Sequence, residues 1–272
     1  MIKLGLALSG GGARGLAHLG VLKVLAAEGI PVSCIGGTSM GGVVAAAYAC
    51  GIPLGEIEEL AMRLSRTREL VRLVDLSPQR RGLLQAEKVR DMLLAMFLER
   101  SFESLAIPLV LPAVDLLSAQ EVVFTSGLIL PAVMATIAVP GLFPPVALGR
   151  WRLVDGGVLN NLPVDRVRAL GADAVIAVNA QYDPYIEKPW QDEGVNLLGP
   201  LPGFFLDFYR AELIMVAHLT EARMAACPPD LLLRPPIAQD IDMFLGFPRI
   251  PECIAAGEQA ARQALPDILE LL

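Results

Sequence analysis

The chain opens with a short apolar run, Ile2 to Leu8, that stops at a glycine cluster. Apolar runs of this length with glycine behind them read as buried strands. Leu16 to Glu28 follows with helical spacing, with Gly29 placed to end it and Pro31 just beyond. A second apolar run, Cys34 to Thr38, leads into Met40 to Cys50, a helix of small residues closed by Gly51 and Pro53. Strand, helix, strand, helix, with apolar strands, predicts a mainly parallel sheet covered on both faces.

Farther along, Arg63 to Arg100 has a helical pattern with a break at Ser77–Pro78. Ile107 to Asp115, Glu121 to Thr125, Trp151 to Asp155 and Asp173 to Asn179 read as strands. Pro163 to Leu170 reads as a helix with proline at its first position and Gly171 past its end. From Gln181 to Leu206 the periodicity is lost among Pro, Gly and aromatic residues, which predicts a lid or a loop packed on the body. Asp207 to Ala226 and Pro251 to Leu272 are closing helices. No repeat and no linker interrupts this order. The expectation is one α/β domain over residues 1–272, a mainly parallel sheet with helices on both faces.

Composition narrows the class. Hydrophobic residues make up 54% of the 272 and charged residues 19%, the opposite of a disordered chain. A net charge of −7 argues against nucleic acid as a partner. The local exception is residues 63–81, where six arginines face Glu69 and Asp75; a solvated face is the ordinary meaning, and a patch touching lipid headgroups the alternative. Cys34, Cys50, Cys227 and Cys253 are widely spaced with no C-x-x-C, as expected of reduced thiols in the cytoplasm, and no metal-ligand spacing appears. The N-terminal apolar run is too short for a signal-peptide core. Val122 to Gly149 is free of charge, but Pro131, Pro140, Pro144 and Pro145 would break a spanning helix, so it reads as buried.

Three glycine-flanked segments carry the chemistry. SGGGARG, residues 9–15, matches G-x-G-x-x-G through Gly10, Gly12 and Gly15. A dinucleotide site needs an acidic residue at the end of the next strand, and that strand ends in Thr38–Ser39. The same loop suits an anion hole of backbone N–H groups, with Arg14 adding positive charge beside it. GTSMG, residues 37–41, fits the strand–turn–helix of a nucleophile elbow: Gly37 and Gly41 relieve the turn, and the helix N-terminus favours a developing alkoxide on Ser39. LVDGGVLNN, residues 153–161, ends a strand at Asp155 before Gly156 and Gly157. An Asp–Gly turn is its ordinary meaning. All three segments lie at strand ends, however, where a parallel sheet gathers its ligand site.

A serine needs a base, and the chain has only two histidines. His18 falls on the apolar stripe of the first helix with Leu22 and Leu25, the position of a core residue. His218 lies within a helix. The order Ser39, Asp155, His218 matches an α/β-hydrolase triad, but that fold needs several strands before its elbow and a histidine on a loop. Asp155 itself is the remaining base. Burial would raise its basicity above the usual carboxylate, near about 3.9.

GGGARG, GTSMG and DGG, in this order, resemble the patatin-like phospholipases, including bacterial proteins related to the catalytic domain of neuropathy target esterase. ATIAVPGLFPP, residues 135–145, is similar to the family's substrate-lining stretch. The resemblance covers roughly residues 4–180. It implies a three-layer α/β/α fold and hydrolysis of lipid acyl esters without metal or cofactor. By position it makes Ser39 the nucleophile, Asp155 the base, and Gly10, Gly11 and Gly12 the oxyanion hole with Arg14 alongside. Two other readings use the same features: an acyltransferase with the same serine, and a non-enzymatic protein that binds an anion or nucleotide on the glycine loop. Any membrane contact of so acidic a chain is expected to be apolar and peripheral.

Overall fold

The computed structural model describes residues 2–65, 82–183, 203–243 and 246–272. β1 (Leu4–Leu8) passes through a 3-10 turn (Gly12–Leu16) into α1 (Ala17–Ala27), and β2 (Cys34–Gly37) turns directly into α2 (Met40–Ala49). After α3 (Leu54–Leu64) and α4 (Ala86–Phe97) come β3 (Leu109–Asp115), β4 (Gln120–Phe124) and α5 (Ile129–Thr136). β5 (Val146–Leu148) and β6 (Trp151–Asp155) precede two short helices, α6 (Gly157–Asn160) and α7 (Val164–Ala169), and then β7 (Ala174–Val178). A long helix α8 (Gly203–Ala226), β8 (Leu231–Leu233), α9 (Ile250–Gln263) and α10 (Leu265–Glu270) follow.

The glycine stops act as the sequence predicts. Gly29, Gly51 and Gly171, just past α1, α2 and α7, have φ of 68°, 70° and 92°, a region in which a side chain is strained. Pro131 lies within α5, but in its first turn, where a missing N–H breaks no helical bond. The charge-free run 122–149 is thus divided among the end of β4, α5 and β5, and no helix among the described residues is long and apolar enough to cross a membrane. Five helices and strands escaped the sequence pattern: α3, α5 inside the proline-bearing run, the one-turn α6, and the three-residue strands β5 and β8, the last three too short for any period to show. Most of the arginine-rich segment 63–81, and residues 184–202 of the expected lid, lie outside the described residues.

The strands run in the order β5-β6-β3-β2-β1-β7-β8, with β4 also on β3. β1, β2, β3, β7 and β8 are parallel to one another, and helices cover both sides. The two faces differ in side-chain size. Leu4, Leu6 and Leu8 of β1 and Ile176 and Val178 of β7 join α1, α2, α5 and α9 in the larger core. Burying each such leucine stabilises the fold by roughly 1.5–3 kcal/mol. Ala7, Cys34, Val175 and Ala177 face the other way, toward α7 and Met224 of α8. Small residues let α7 press close: a Cβ added to Gly5 would lie 2.6 Å from Val167 Cγ1.

One expectation needs correcting. Asp155 does end a strand, but β6 is antiparallel to β3, so it is not the carboxyl end of a parallel strand. β3 is longer than β2 and overshoots it. Ile35 N–H donates to Pro108 O at 2.9 Å, and Leu116 N–H donates to Arg152 O at 2.9 Å. An even number of residues separates 108 from 116, so both bonds leave the same edge of β3. β6 therefore takes over the edge that β2 leaves. Running downward, it brings Asp155 opposite Ala113, at the level of the turn that follows β2.

Candidate active site

Ser39 stands at φ 55°, ψ −126°, one of three non-glycine residues with positive φ among the described residues. Such a conformation costs on the order of 1–3 kcal/mol and persists only where neighbours enforce it. The neighbours are visible. Thr38 N–H donates to Leu8 O at 3.1 Å, and Thr38 Oγ1 donates to Asn160 O at 2.8 Å. Ser39 N–H donates to Thr136 Oγ1 at 3.2 Å, and that hydroxyl donates to Pro112 O at 2.6 Å. Gly37 and Gly41 permit the tight turn: a Cβ on Gly37 would lie 2.3 Å from Gly41 O, and one on Gly41 2.4 Å from Ser9 O. Ser39 occupies the N-cap of α2, yet its hydroxyl makes no capping bond. It stays available at the positive end of the helix dipole.

Thr136→Val tests this bracing. It leaves a backbone donor and acceptor unsatisfied, at about 1–3 kcal/mol each. Thermal melting should show the loss, and turnover should fall by about tenfold as the elbow loosens.

Asp155 is buried, and its Oδ1 accepts the Gly157 N–H at 2.7 Å. Its Oδ2 has no partner in hydrogen-bond geometry, and the Ser39 hydroxyl is close enough to draw the carboxyl's pKa down. Burial outweighs that effect and raises the pKa from 3.8 to about 7, with the Glu212 carboxyl adding a smaller push upward. Apo active sites often hold such contacts loosely until substrate closes them. The two glycines after Asp155 are steric necessities. A Cβ on Gly156 would lie 2.4 Å from Pro112 O, and one on Gly157 3.0 Å from Asp155 Oδ1. Asn160 then anchors α6 through its Nδ2 to Glu121 Oε1 at 2.9 Å and Asp165 Oδ1 at 3.0 Å.

The glycine loop lies against the elbow: a Cβ on Gly10 would be 3.1 Å from Ser39 Cβ. The three glycines are not equivalent. Gly10 N–H donates to Asn161 O at 3.0 Å, so it cannot also serve an oxyanion. Gly11 and Gly12 keep their N–H groups without a partner among the described residues. Gly15 sits behind the loop, where a Cβ would lie 2.9 Å from Met40 Cβ.

Arg14 departs from its expected place beside the anion hole. Its side chain is 1% exposed and turned away from the cleft. Nε donates to Ala180 O at 3.0 Å, Nη1 reaches Ala238 O and Ile241 O at 3.4 Å, and the guanidinium lies 4.2 Å from the Tyr182 ring centroid. Arg14 clamps the loop from behind. Its planar fork suits three carbonyls and a ring better than it suits a wet anion.

Neither histidine faces the cleft. His18 is fully buried, and burial lowers its pKa to about 4, so the ring is neutral at pH 7. Nε2 lies 2.8 Å from Ser9 O, and since a carbonyl only accepts, Nε2 carries the proton. His218 is exposed on α8.

Together these segments line a cleft of about 500 Å³, open mouth included. Gly10, Gly11, Gly12, Ser39, Asp155 and Gly157 form its chemical end. Val139, Pro140 and Val158 give apolar walls, and α8 contributes Tyr209, Glu212, Leu213 and Val216. Asn161, Gln181 and Met243 complete the lining, with Asn161 Nδ2 donating to Gln181 Oε1 at 2.9 Å. Sequence reasoning missed Asn161, Gln181, Tyr209, Glu212 and Met243. Asn161 stood in the quoted LVDGGVLNN; the others come from segments with no motif.

A family model described as patatin-like phospholipase matches residues 6–168, more than half of the chain. The chain belongs to the patatin-like phospholipase family. An NTE family protein of Mycobacterium tuberculosis is 31% identical over 287 residues, covering 98% of this chain and 47% of that protein. Similarity to that relative thus extends past residue 180. The lysophospholipase nte1 of Aspergillus fumigatus is 32% identical over 180 residues, 65% of this chain and 12% of its own length. This patatin-like chain therefore spans less than half the length of either relative. Among solved structures, VipD from Legionella pneumophila shares the fold, with a TM-score of 0.50 at 13% identity, over 97% of this chain and 66% of that one.

Proposed function

We propose that this chain is a serine hydrolase that cleaves lipid acyl esters, phospholipid or lysophospholipid, through a Ser39–Asp155 dyad. One observation carries the reading: a serine held in a strained elbow faces a buried carboxylate oxygen that has no other partner. Ser39 Oγ attacks the ester carbonyl carbon while its proton passes to Asp155 Oδ2. The carbonyl oxygen becomes an oxyanion, held by the Gly11 and Gly12 N–H groups and the N-terminus of α2. The intermediate collapses to an acyl-serine and expels the alcohol, which takes the proton back from Asp155. Asp155 then draws a proton from water, the hydroxide attacks the acyl-serine, Ser39 Oγ leaves and takes that proton back from Asp155, and the fatty acid departs. A carboxyl pKa near 7 matches a general base working at neutral pH.

Apolar walls at Val139, Pro140, Leu213 and Val216 suit an acyl chain. The outer side of α8 exposes Phe208, Ile214 and Met215, which supports a peripheral contact with the lipid surface. The four cysteines are free, in keeping with a cytoplasmic setting.

The test is labelling with a fluorophosphonate, an electrophile that reacts with activated serines. A stoichiometric adduct on the peptide bearing Ser39, absent in Ser39→Ala, is the expected result. Folded wild-type protein that takes up no label overturns the proposal.

A further inference from the structure

The cleft contains a second carboxyl that the proposed chemistry does not use. Tyr209, Glu212, Leu213 and Val216 follow helical i, i+3, i+4, i+7 spacing, so one face of α8 carries them all into the cleft. Glutamate is flexible enough to turn outward, and the other charged side chains of this helix do find partners. Asp207 pairs with Arg210, Glu221 with Arg234, and Arg223 with Asp165. Glu212 has no ion pair or hydrogen bond among the described residues, and it stays at the cleft wall between a tyrosine and two aliphatic side chains. Burial raises its pKa to about 7.

The charge around it has one sign. Among the described residues no Lys, Arg or His lines the cleft, and the cation that the motif sequence placed there, Arg14, is turned to backbone carbonyls. The polar end of an ester held over Ser39 therefore meets two carboxyls, Asp155 and Glu212. A hydroxyl or ammonium group brings a donor to an acceptor that lacks one. A phosphate monoester brings like charge into a poorly solvated site with no counterion.

We propose that Glu212 is a specificity residue that selects the alcohol half of the substrate, accepting from a hydroxyl or ammonium group and rejecting a polar end of net negative charge. This rests on the hydrolase reading above and deepens it. The substrate class that follows is a single-chain ester whose polar end carries no net negative charge, a zwitterionic lysophospholipid or, as the simplest member, a monoacylglycerol.

The experiment compares 1-oleoylglycerol with 1-oleoylglycerol 3-phosphate, which differ only by the phosphate. Both are presented in neutral detergent micelles at pH 8, where Glu212 is largely ionised; 4-nitrophenyl butyrate is assayed alongside. Wild type should favour the neutral lipid by about tenfold or more in kcat/KM. Glu212→Gln should shrink that ratio by about fivefold, and Glu212→Lys should shrink it further or invert it. The ratio is insensitive to the fraction of folded enzyme, so a merely structural role for Glu212 leaves it unmoved. An unchanged ratio in both variants, or a wild-type preference for the phosphate, overturns the inference while the hydrolase reading stands. Cleavage of the nitrophenyl ester alone has the same consequence. If wild type cleaves none of the three esters, the hydrolase reading falls and the inference with it.

Discussion

Asp155→Asn should lower kcat/KM on a lipid ester by at least about a thousandfold while the protein stays folded. The amide keeps an oxygen for the Gly157 N–H, which Asp155 now bonds at 2.7 Å, so the local structure has no reason to move. What disappears is the only group in the cleft, among the described residues, that is both basic and beside Ser39. Because the two residues act as a unit, Ser39→Ala and the double variant should be about as slow as Asp155→Asn, with no further additive loss. Steady-state kinetics on all three, with circular dichroism for folding, makes the comparison. Near-normal turnover in a folded Asp155→Asn protein would sink the dyad.

The same carboxyl dictates the pH behaviour. Wild-type activity should rise with pH through about 7, as Asp155 loses its proton and becomes a base. Stability should move the other way. A folded-state pKa raised from 3.8 to about 7 means that the folded protein holds this proton more tightly than the unfolded chain. This carboxyl therefore lowers stability progressively as pH climbs from about 4 to about 7, by up to about 4 kcal/mol once it is ionised. Asp155→Asn should accordingly melt higher than wild type at pH 8, with the gap closing toward pH 4. The variant that removes activity stabilises the fold, as expected of a site held against its own preference.

Gly41→Val should abolish the native fold, or at the least destabilise it by more than about 3 kcal/mol. The reason is what a side chain there meets: Ser9 O at 2.4 Å and Leu8 O at 2.6 Å, both backbone atoms of β1 and the glycine loop. No rotamer escapes them, and moving them displaces the glycine loop. Gly29→Ala supplies the contrast. Gly29 has φ 68° with nothing within 4 Å of an added Cβ, so only backbone strain of about 1 kcal/mol is at stake. Chemical denaturation of both should separate the steric clash from strain. A Gly41→Val protein as stable as Gly29→Ala would contradict the packing of the elbow.

Much of the fold was legible because local and tertiary signals agree. Leu4–Leu8 and Cys34–Gly37 are apolar throughout, and the structure buries both faces of β1 and β2. Glycines at the helix ends fall where a positive φ is needed. The three glycine segments were readable as parts of one cleft because each marks a place where backbone must pass close to backbone. Direction was not readable: WRLVD, five residues with Arg152 and Asp155 among them, is too short for its pattern to tell a strand running with its neighbour from one running against it. Arg14 misled for a related reason. Sequence places a cation next to the loop but does not say which side of the loop it leaves from. Tyr209 and Glu212 were invisible as site residues because an amphipathic helix shows which residues share a face, not what that face covers.

The overshoot of β3 makes the separation of Ser39 and Asp155 a matter of counting. Ser39 is fixed to one end of β3 through β2, and Asp155 to the other through β6, so strand register alone decides whether they meet. Each residue of strand is about 3.3 Å, and side chains return to the same face only every second residue. A slip of one residue in β6 points the carboxylate to the wrong face, and a slip of two carries it about 7 Å away. No intermediate setting exists. Loops and helices that touch neither those rungs nor the turn at Ser39 can lengthen without changing the gap between Ser39 and Asp155.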